Sequence, residues 1–200
     1  MQKAAQIDEE HKLLTCLNFK RHDWLNHLQV MTGYLSLREY DRLRNYVTRV
    51  LDEAEREGQI FQIAYAPLAH YLLTYNIFAK DTAFNVHIAA NVTRLKAQVG
   101  ECLLQAICTF EQVIAAACTR KATDVVTIDL ALHDSENKVP SGCSYVLYVD
   151  VTPPPAVYEA LRNTNWALVQ KQLGPWCEDV TIDWDGRTLE CGVRVAGQAK

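Results

Sequence analysis

The first third of the chain is dominated by a stretch without helix-breaking residues. Residues 5–57 contain no proline and a single glycine, Gly33. Long uninterrupted helices are favoured there, because proline and glycine are the two residue types that most destabilise a helix interior. Apolar side chains recur at the a and d positions of one heptad frame, which Arg21 alone interrupts: Leu14, Leu17, Trp24, Leu28, Met31 and Leu35. A second stripe comprises Leu43, Tyr46, Val47, Val50, Leu51 and Ala54. Both stripes predict amphipathic helices.

A tight reversal is predicted between the two helices. The segment 36–41 is short and polar, which suits a turn between antiparallel helices. Gly58 is predicted to end the second helix. A two-helix hairpin cannot enclose a core by itself. We therefore expect two copies to dimerise into a four-helix bundle, the alternative being that the hairpin packs against the rest of its own chain.

Beyond residue 60 the pattern changes to shorter, alternating elements. Helices are predicted at 67–80 and 96–120, strands at 85–90, 124–133 and 144–151, and a polar turn at 134–142. Pro153, Pro154 and Pro155 lead into a helix through about residue 172. Asp185-Gly186 is predicted to turn a hairpin between strands 180–184 and 188–195. The fold class is thus α+β, with domains at 1–60 and 61–200 and a mostly antiparallel sheet in the second.

Composition excludes several classes of function. With 20 basic and 24 acidic side chains, the net charge of −4 argues against a nucleic-acid partner. No apolar run approaches the roughly 18 residues that span a bilayer, and the N-terminus has no signal-peptide core. We therefore expect a cytoplasmic protein without a membrane partner. Seven cysteines without a C-x-x-C pair are expected to be ordinary buried thiols.

His22 is the first residue with a chemical possibility. Because Arg21 occupies an a position, His22 falls at b, outside the apolar seam, and is predicted to project into solvent. A neutral imidazole there can act as a nucleophile. The residues predicted to share its face are Asn18, Phe19, Leu25, Asn26 and Gln29. The alternative is a solvated surface histidine without a role.

The sequence around His22 is distinctive. Residues 21–51 read RHDWLNHLQVMTGYLSLREYDRLRNYVTRVL. They closely resemble the phosphoacceptor hairpin of the sporulation-initiation phosphotransferase B family and, through the pattern H-[DE]-[FW]-x-N-x-L-x-x-I-x-G-L-L-x-L-x-x-[YF]-D, the citrate- and dicarboxylate-sensing histidine kinases. The matching positions are His22, Asp23, Trp24, Asn26, Leu28, Gln29, Gly33, Leu35, Leu37, Tyr40 and Asp41. This resemblance implies that His22 is the phosphorylated histidine.

The second half resembles the ATP-binding domain of such kinases with its nucleotide motifs missing. Where the kinases carry an N-x-x-x-N helix, this chain has Glu111 and Gln112 in FEQVIAAAC. The strand ending at Asp150 runs into VTPPPAVYEAL without glycine, and no Gly-x-Gly occurs anywhere. Glycine normally permits the close approach of backbone to phosphate. We therefore expect a degenerate kinase-like domain without ATP-dependent kinase activity.

The resemblance implies a phosphorelay. A response-regulator receiver would donate its aspartyl phosphate to His22, and a second receiver would accept it. Mg²⁺ would come from the receiver, so no cofactor is expected to be bound by the chain itself. Lys20, Arg21, Arg38 and Arg42 would complement an acidic receiver, or be ordinary solvated charges; Asp23 would tune the imidazole. The alternatives are a non-enzymatic dimeric adaptor and a diverged ATP-dependent sensor kinase.

Overall fold

The structure is a computed structural model that describes residues 2–92, 94–118, 125–135 and 144–196. It divides into two compact units, Met1–Glu55 and Arg56–Lys200. The described residues form six helices and five strands, so the predicted α+β class is confirmed. The predicted division into a phosphoacceptor domain (1–60) and a kinase-like domain (61–200) stays a prediction.

The first unit is a helical hairpin. Helix α1 spans Gln2–Ser36 and helix α2 spans Tyr40–Gln62, so the predicted reversal is confirmed, with only residues 37–39 between the helices. Arg38 takes a left-handed conformation (φ 57°) that closes α1 in the manner of a helix C-cap. Across the hairpin, Nδ1 of His27 lies 2.9 Å from the hydroxyl of Tyr46. The ring of Tyr34 packs edge-on against the ring of Tyr46. These side chains define the face by which α1 packs on α2.

The predicted end of α2 at Gly58 is wrong. The helix continues to Gln62, and Ala64 (φ 55°) supplies the left-handed residue that follows it. A glycine costs a helix only about 1 kcal/mol. The continuation carries Ile60 into the core of the second unit, followed by Ile63, and both are buried.

The second unit adds four helices and a sheet. Its helices are α3 (Ala66–Phe78), α4 (Ala97–Ala117), α5 (Pro155–Arg162) and α6 (Trp166–Leu173). Its strands are β1 (Thr82–Ile88), β2 (Val126–Ser135), β3 (Ser144–Val151), β4 (Asp179–Asp185) and β5 (Thr188–Ala196). The strand order is β1-β2-β3-β5-β4, with β1 and β2 parallel and the other pairs antiparallel. The prediction of a mostly antiparallel sheet is confirmed.

The core lies on one face of this sheet. Alternate residues of the strands point toward the helices, as Ile128, Leu130, Leu147, Val149 and Val193 do, and are nearly fully buried. Helix α4 contacts β3, β5, α3, α5 and α6 and therefore forms the centre of the core. The other face of the sheet is mixed in character: on β3 it carries Val146, Tyr148 and Asp150.

Three predicted elements differ from the structure. The helix predicted through residue 172 is interrupted, because Asn165 caps a new helix by accepting a hydrogen bond from the Leu168 amide at 3.3 Å. In the final hairpin Asp185 pairs with Thr188, which makes Gly186-Arg187 the two-residue loop, one residue later than predicted. Strand β2 continues through Asp134 and Ser135, which were predicted to begin the polar turn at 134–142; the rest of that turn and Cys143 lie outside the described residues.

By length and composition alone, helix α4 is long and apolar enough to cross a bilayer. Polar residues interrupt its apolar sequence, so it contains no continuous apolar run of that length. Its apolar side chains, among them Leu103, Phe110 and Ile114, are buried in the second unit. A core helix of a soluble protein passes the same test, so this is weak evidence for a span.

Candidate functional site

His22 lies within the long uninterrupted helix α1, and its side chain is exposed. Because this segment has no proline and only one glycine, the helix continues for more than three turns on both sides of His22. Its backbone groups are satisfied within the helix, so the imidazole is displayed on a rigid support. The exposure expected from its heptad position is present.

One side chain hydrogen-bonds this imidazole. Nδ2 of Asn26, one turn along α1, lies 3.1 Å from Nδ1 of His22. No other described side chain does so, and Nε2 is left without a partner. The sequence predicted that Asn26 shares the docking face with His22. In the structure its amide instead hydrogen-bonds the His22 ring. The signal for this was the i,i+4 spacing, which brings side chains together on a helix.

Asp23 does not hydrogen-bond the imidazole in the described structure. Adjacent helical residues point about 100° apart, and among the described residues Asp23 forms no hydrogen bond or ion pair. Among the described residues, Asp23 therefore has no hydrogen bond through which it would tune His22.

The face around His22 is exposed and mixed in character. Phe19 and Leu25 are 47% and 44% exposed, and Gln29 is exposed one turn beyond them. The guanidinium of Arg21 donates to Oδ1 of Asn18 at 3.0 Å. Exposed apolar side chains beside uncharged polar groups are typical of surfaces that bind other proteins.

The predicted cationic residues do not gather at His22. Arg38 and Arg42 lie at the closed end of the hairpin, and the fourteen residues of α1 that follow His22 correspond to about 20 Å of helix. Arg42 pairs with Glu39 at 2.9 Å, whereas Arg38 is exposed and forms no ion pair with any described residue. Only Lys20 and Arg21 lie next to the histidine along the chain.

A strip of exposed apolar side chains, here called the α1 stripe, follows the same helix. It consists of the five residues Leu14, Leu17, Trp24, Leu28 and Leu35, which are 54–64% exposed. These are the a and d positions of the predicted seam. The contacts with α2 instead involve His27 and Tyr34, so the stripe lies beside the packed face of the hairpin.

The second unit offers a cleft beside α4. It measures about 390 Å³ and is lined by Tyr71, Tyr75, Lys80, Thr82 and Glu111, among others. The hydroxyl of Tyr75 donates to Oε1 of Glu111 at 2.7 Å and lies 2.5 Å from Oγ1 of Thr82. Burial raises the pKa of Tyr71 and the pKa of Tyr75 well above the ordinary value of a tyrosine, so their hydroxyls stay protonated. One carboxylate oxygen of Glu111 is thus engaged by a neighbouring helix.

The start of α5 offers few donors for a phosphate, because its prolines have no N–H and the N–H groups of Val157 and Tyr158 bond the Pro154 carbonyl. Pro154 is its N-cap and Pro155 its first residue, directly after Pro153. A helix N-terminus binds phosphate through free backbone N–H groups, which proline does not have.

The described cysteines are free thiols, of which Cys191 is buried and the others are half-buried. Burial raises the pKa of the Cys177 and Cys191 thiols to about 12, so little thiolate exists at neutral pH. Among the residues that the structure describes, no three His, Cys, Asp or Glu side chains are grouped closely enough to hold a metal ion.

Comparisons with known proteins address the helical hairpin and the whole chain. Residues 2–63 match the family model described as the alpha-helical domain of SpoOB-type sensor kinases. The chain is 22% identical over 162 residues to sporulation initiation phosphotransferase B of Bacillus subtilis (strain 168), covering 78% of this chain and 79% of the relative.

Two histidine kinases are among the similar solved structures. The histidine kinase domain of the Erythrobacter litoralis EL346 blue-light activated histidine kinase has a TM-score of 0.43 and 11% identity, covering 66% of this chain and 60% of that chain. The Acinetobacter baumannii histidine kinase AdeS has a TM-score of 0.38 and 10% identity, covering 89% and 98%.

Proposed function

We propose that this chain is a phosphorelay histidine phosphotransferase, because residues 2–63 match the family model for the alpha-helical domain of SpoOB-type sensor kinases and the predicted resemblance to the sporulation-initiation phosphotransferase B family is confirmed. It accepts a phosphoryl group from a response-regulator aspartate onto His22 and passes it to a second response regulator. The observation that carries the proposal is the exposed His22 imidazole in the middle of the matched helix, with Nε2 unpartnered among the described residues.

The chemistry needs little from the carrier. The lone pair of the neutral imidazole attacks the phosphorus of the aspartyl phosphate, and the aspartate leaves as a carboxylate. Phosphoryl transfer depends mainly on positioning and charge neutralisation, and the acidic pocket of a receiver supplies Mg²⁺ for the latter. This chain contributes a nucleophile that is fixed on a rigid helix and open to its partner.

The receiver docks on the face around His22. Phe19 and Leu25 provide exposed apolar contacts, while Asn18, Arg21 and Gln29 provide polar ones. Asp23, Arg38 and Arg42 complete the proposed contact set. The two arginines at the hairpin end meet a different part of the receiver from the phosphorylated aspartate, since about 20 Å of helix separates them from His22.

The proposed active form is a homodimer. The α1 stripe would cost free energy if it stayed in water, since each buried apolar side chain contributes about 1.5–3 kcal/mol. A second hairpin supplies a matching stripe and completes a four-helix bundle. Its seam excludes His22, whose b position keeps the imidazole accessible.

ATP is not the proposed phosphate donor. Three successive prolines stand where a nucleotide loop would need glycine, and a hydroxyl engages Glu111 in the helix that would carry the Mg²⁺ ligands of a kinase. We propose a cytoplasmic location with receivers as the only phosphate donors and acceptors. A diverged kinase and a non-enzymatic adaptor are the competing functions.

The test uses a receiver phosphorylated with radiolabelled acetyl phosphate, and separately radiolabelled ATP. Wild type is compared with His22→Gln and with His11→Gln, a control at another exposed histidine of the same helix. We expect acid-labile, base-stable label from the phospho-receiver in wild type and His11→Gln only, and its discharge to a second receiver. Label from ATP would establish a kinase. Receiver binding that is unchanged in His22→Gln, without label on any variant, would establish an adaptor.

A further inference from the structure

Asn26 and His22 form a pair whose chemistry is more specific than docking. Nδ1 of His22 lies 3.1 Å from Nδ2 of the Asn26 amide, one turn away on an unbroken helix. A neutral imidazole has one N–H donor and one lone-pair acceptor, and the hydrogen bond of one nitrogen decides which nitrogen carries the proton. The amide therefore acts on the tautomer of the histidine.

An amide can meet Nδ1 in two ways. The structure has the NH₂ group toward the ring, where it donates to Nδ1 and favours the proton on Nε2. After a half-turn about Cβ–Cγ the amide oxygen accepts from Nδ1–H, which leaves the lone pair on Nε2. In both orientations Nδ1 is engaged, so Nε2 is the nitrogen open to a partner, but only the second orientation makes Nε2 nucleophilic.

We infer that Asn26 is the positioning residue that makes Nε2 of His22 the nucleophile, by accepting a hydrogen bond from Nδ1–H through Oδ1. The inference rests on the proposed function. During transfer a bond forms between Nε2 and phosphorus, and the bond from phosphorus to the aspartyl oxygen breaks with its electron pair. The ring gains a positive charge, no proton is lost, and Nδ1–H becomes a stronger donor to Oδ1.

A neutral acceptor suits this task better than a carboxylate. A carboxylate on Nδ1 would favour the imidazolium form by its charge. The imidazolium has no lone pair on Nε2 and cannot attack phosphorus. Asp23, the adjacent carboxylate, forms no hydrogen bond with the ring in the described structure, which is consistent with this requirement.

The first test observes the tautomer without any phosphate donor. Two-bond ¹H–¹⁵N spectra of protein labelled with ¹⁵N-histidine distinguish Nδ1–H from Nε2–H, with His11 as an internal reference on the same helix. We expect the Nδ1–H form to be enriched at His22 relative to His11 in wild type and to fall to the His11 level in Asn26→Leu. A wild-type His22 with the tautomer ratio of His11, or a ratio unaffected by Asn26→Leu, would overturn the inference and leave the proposed function standing.

The second test measures the pH dependence of transfer from a phospho-receiver. Asn26→Leu is expected to lower the rate about three- to tenfold at all pH values, which is the contribution of one net hydrogen bond. Asn26→Asp keeps an acceptor and is expected to regain most of the rate at pH 8.5 but not at pH 6.5, because its charge favours the imidazolium. Equal losses in both variants at every pH would mean that Asn26 acts only by contacting the receiver. Unchanged receiver affinity and melting temperature in both variants control for docking and folding.

Discussion

Gly100 lies at a position of helix α4 that has no space for a side chain. It is fully buried, and a Cβ atom placed there would come within 2.4 Å of the Tyr65 ring. The ring cannot move freely, since the hydroxyl of Tyr65 donates to Glu101 at 2.5 Å. We predict that Gly100→Ala lowers the free energy of unfolding by about 1–3 kcal/mol through overpacking, as measured by urea denaturation.

Gly58 is the matched control at the same scale. It also lies inside a helix, but nothing approaches its Cβ position within 4 Å. Gly58→Ala is therefore expected to stabilise the protein by about 0.5–1 kcal/mol, because alanine is the better helix residue. Destabilisation by both substitutions would mean that the contact with Tyr65 is not the cause at Gly100.

Across the strands, four carboxylates stand directly opposite one another. Asp129 pairs with Asp150, Asp150 with Glu190, and Glu190 with Asp183, on the face of the sheet opposite the core. Like charges in opposed positions destabilise a sheet by about 0.2–1 kcal/mol per pair. Burial, and then the charge of Asp129, raise the pKa of Asp150 above its ordinary value of 3.8.

This shift has a definite sign. A raised pKa means that the folded protein favours protonated Asp150, so stability is lost as the pH rises from about 4 through the raised value. We predict that Asp150→Asn stabilises the protein by a few tenths of a kcal/mol at pH 7 and has little effect at pH 4. Urea denaturation at both pH values measures the difference. Asp179→Asn is the control, since Asp179 faces Arg194, and it should not stabilise the protein at pH 7.

The last hairpin gives a second prediction at this scale. Gly186 has a left-handed φ of 60° at the first position of the loop between β4 and β5. A side chain in that region costs about 1–2 kcal/mol, and least for asparagine. Gly186→Ala is expected to lower the melting temperature more than Gly186→Asn; equal effects would show that loop conformation does not limit stability.

At the scale of the molecule, the α1 stripe governs the expected assembly. We predict a dimer of two 22.7 kDa chains in sedimentation equilibrium, with a melting temperature that rises with protein concentration. Charges in an apolar seam are strongly unfavourable, so Leu17→Asp combined with Leu28→Asp is expected to yield a monomer. Gln29→Asp, on the same helix but outside the stripe, should leave the dimer intact. A monomeric wild type would contradict the bundle.

The sequence alone determined the features that depend on local spacing. The two long helices, their short reversal and the exposure of His22 follow from heptad positions and from the absence of proline, because each helical hydrogen bond spans only four residues. Alternation likewise located β2, β3 and the last hairpin to within a few residues. The resemblance of residues 21–51 to a phosphoacceptor hairpin was also readable without coordinates.

Only the tertiary structure decided which distant residues meet. The parallel pairing of β1 with β2, the row of opposed carboxylates and the contact of Tyr65 with Gly100 join residues tens of positions apart, and such contacts leave no periodic trace. The continuation of α2 past Gly58 is of the same kind, because buried Ile60 and Ile63 outweigh a local breaker. The amide of Asn26 on His22 is the local exception: its spacing was visible, but its partner depended on side-chain rotamers that a sequence does not specify.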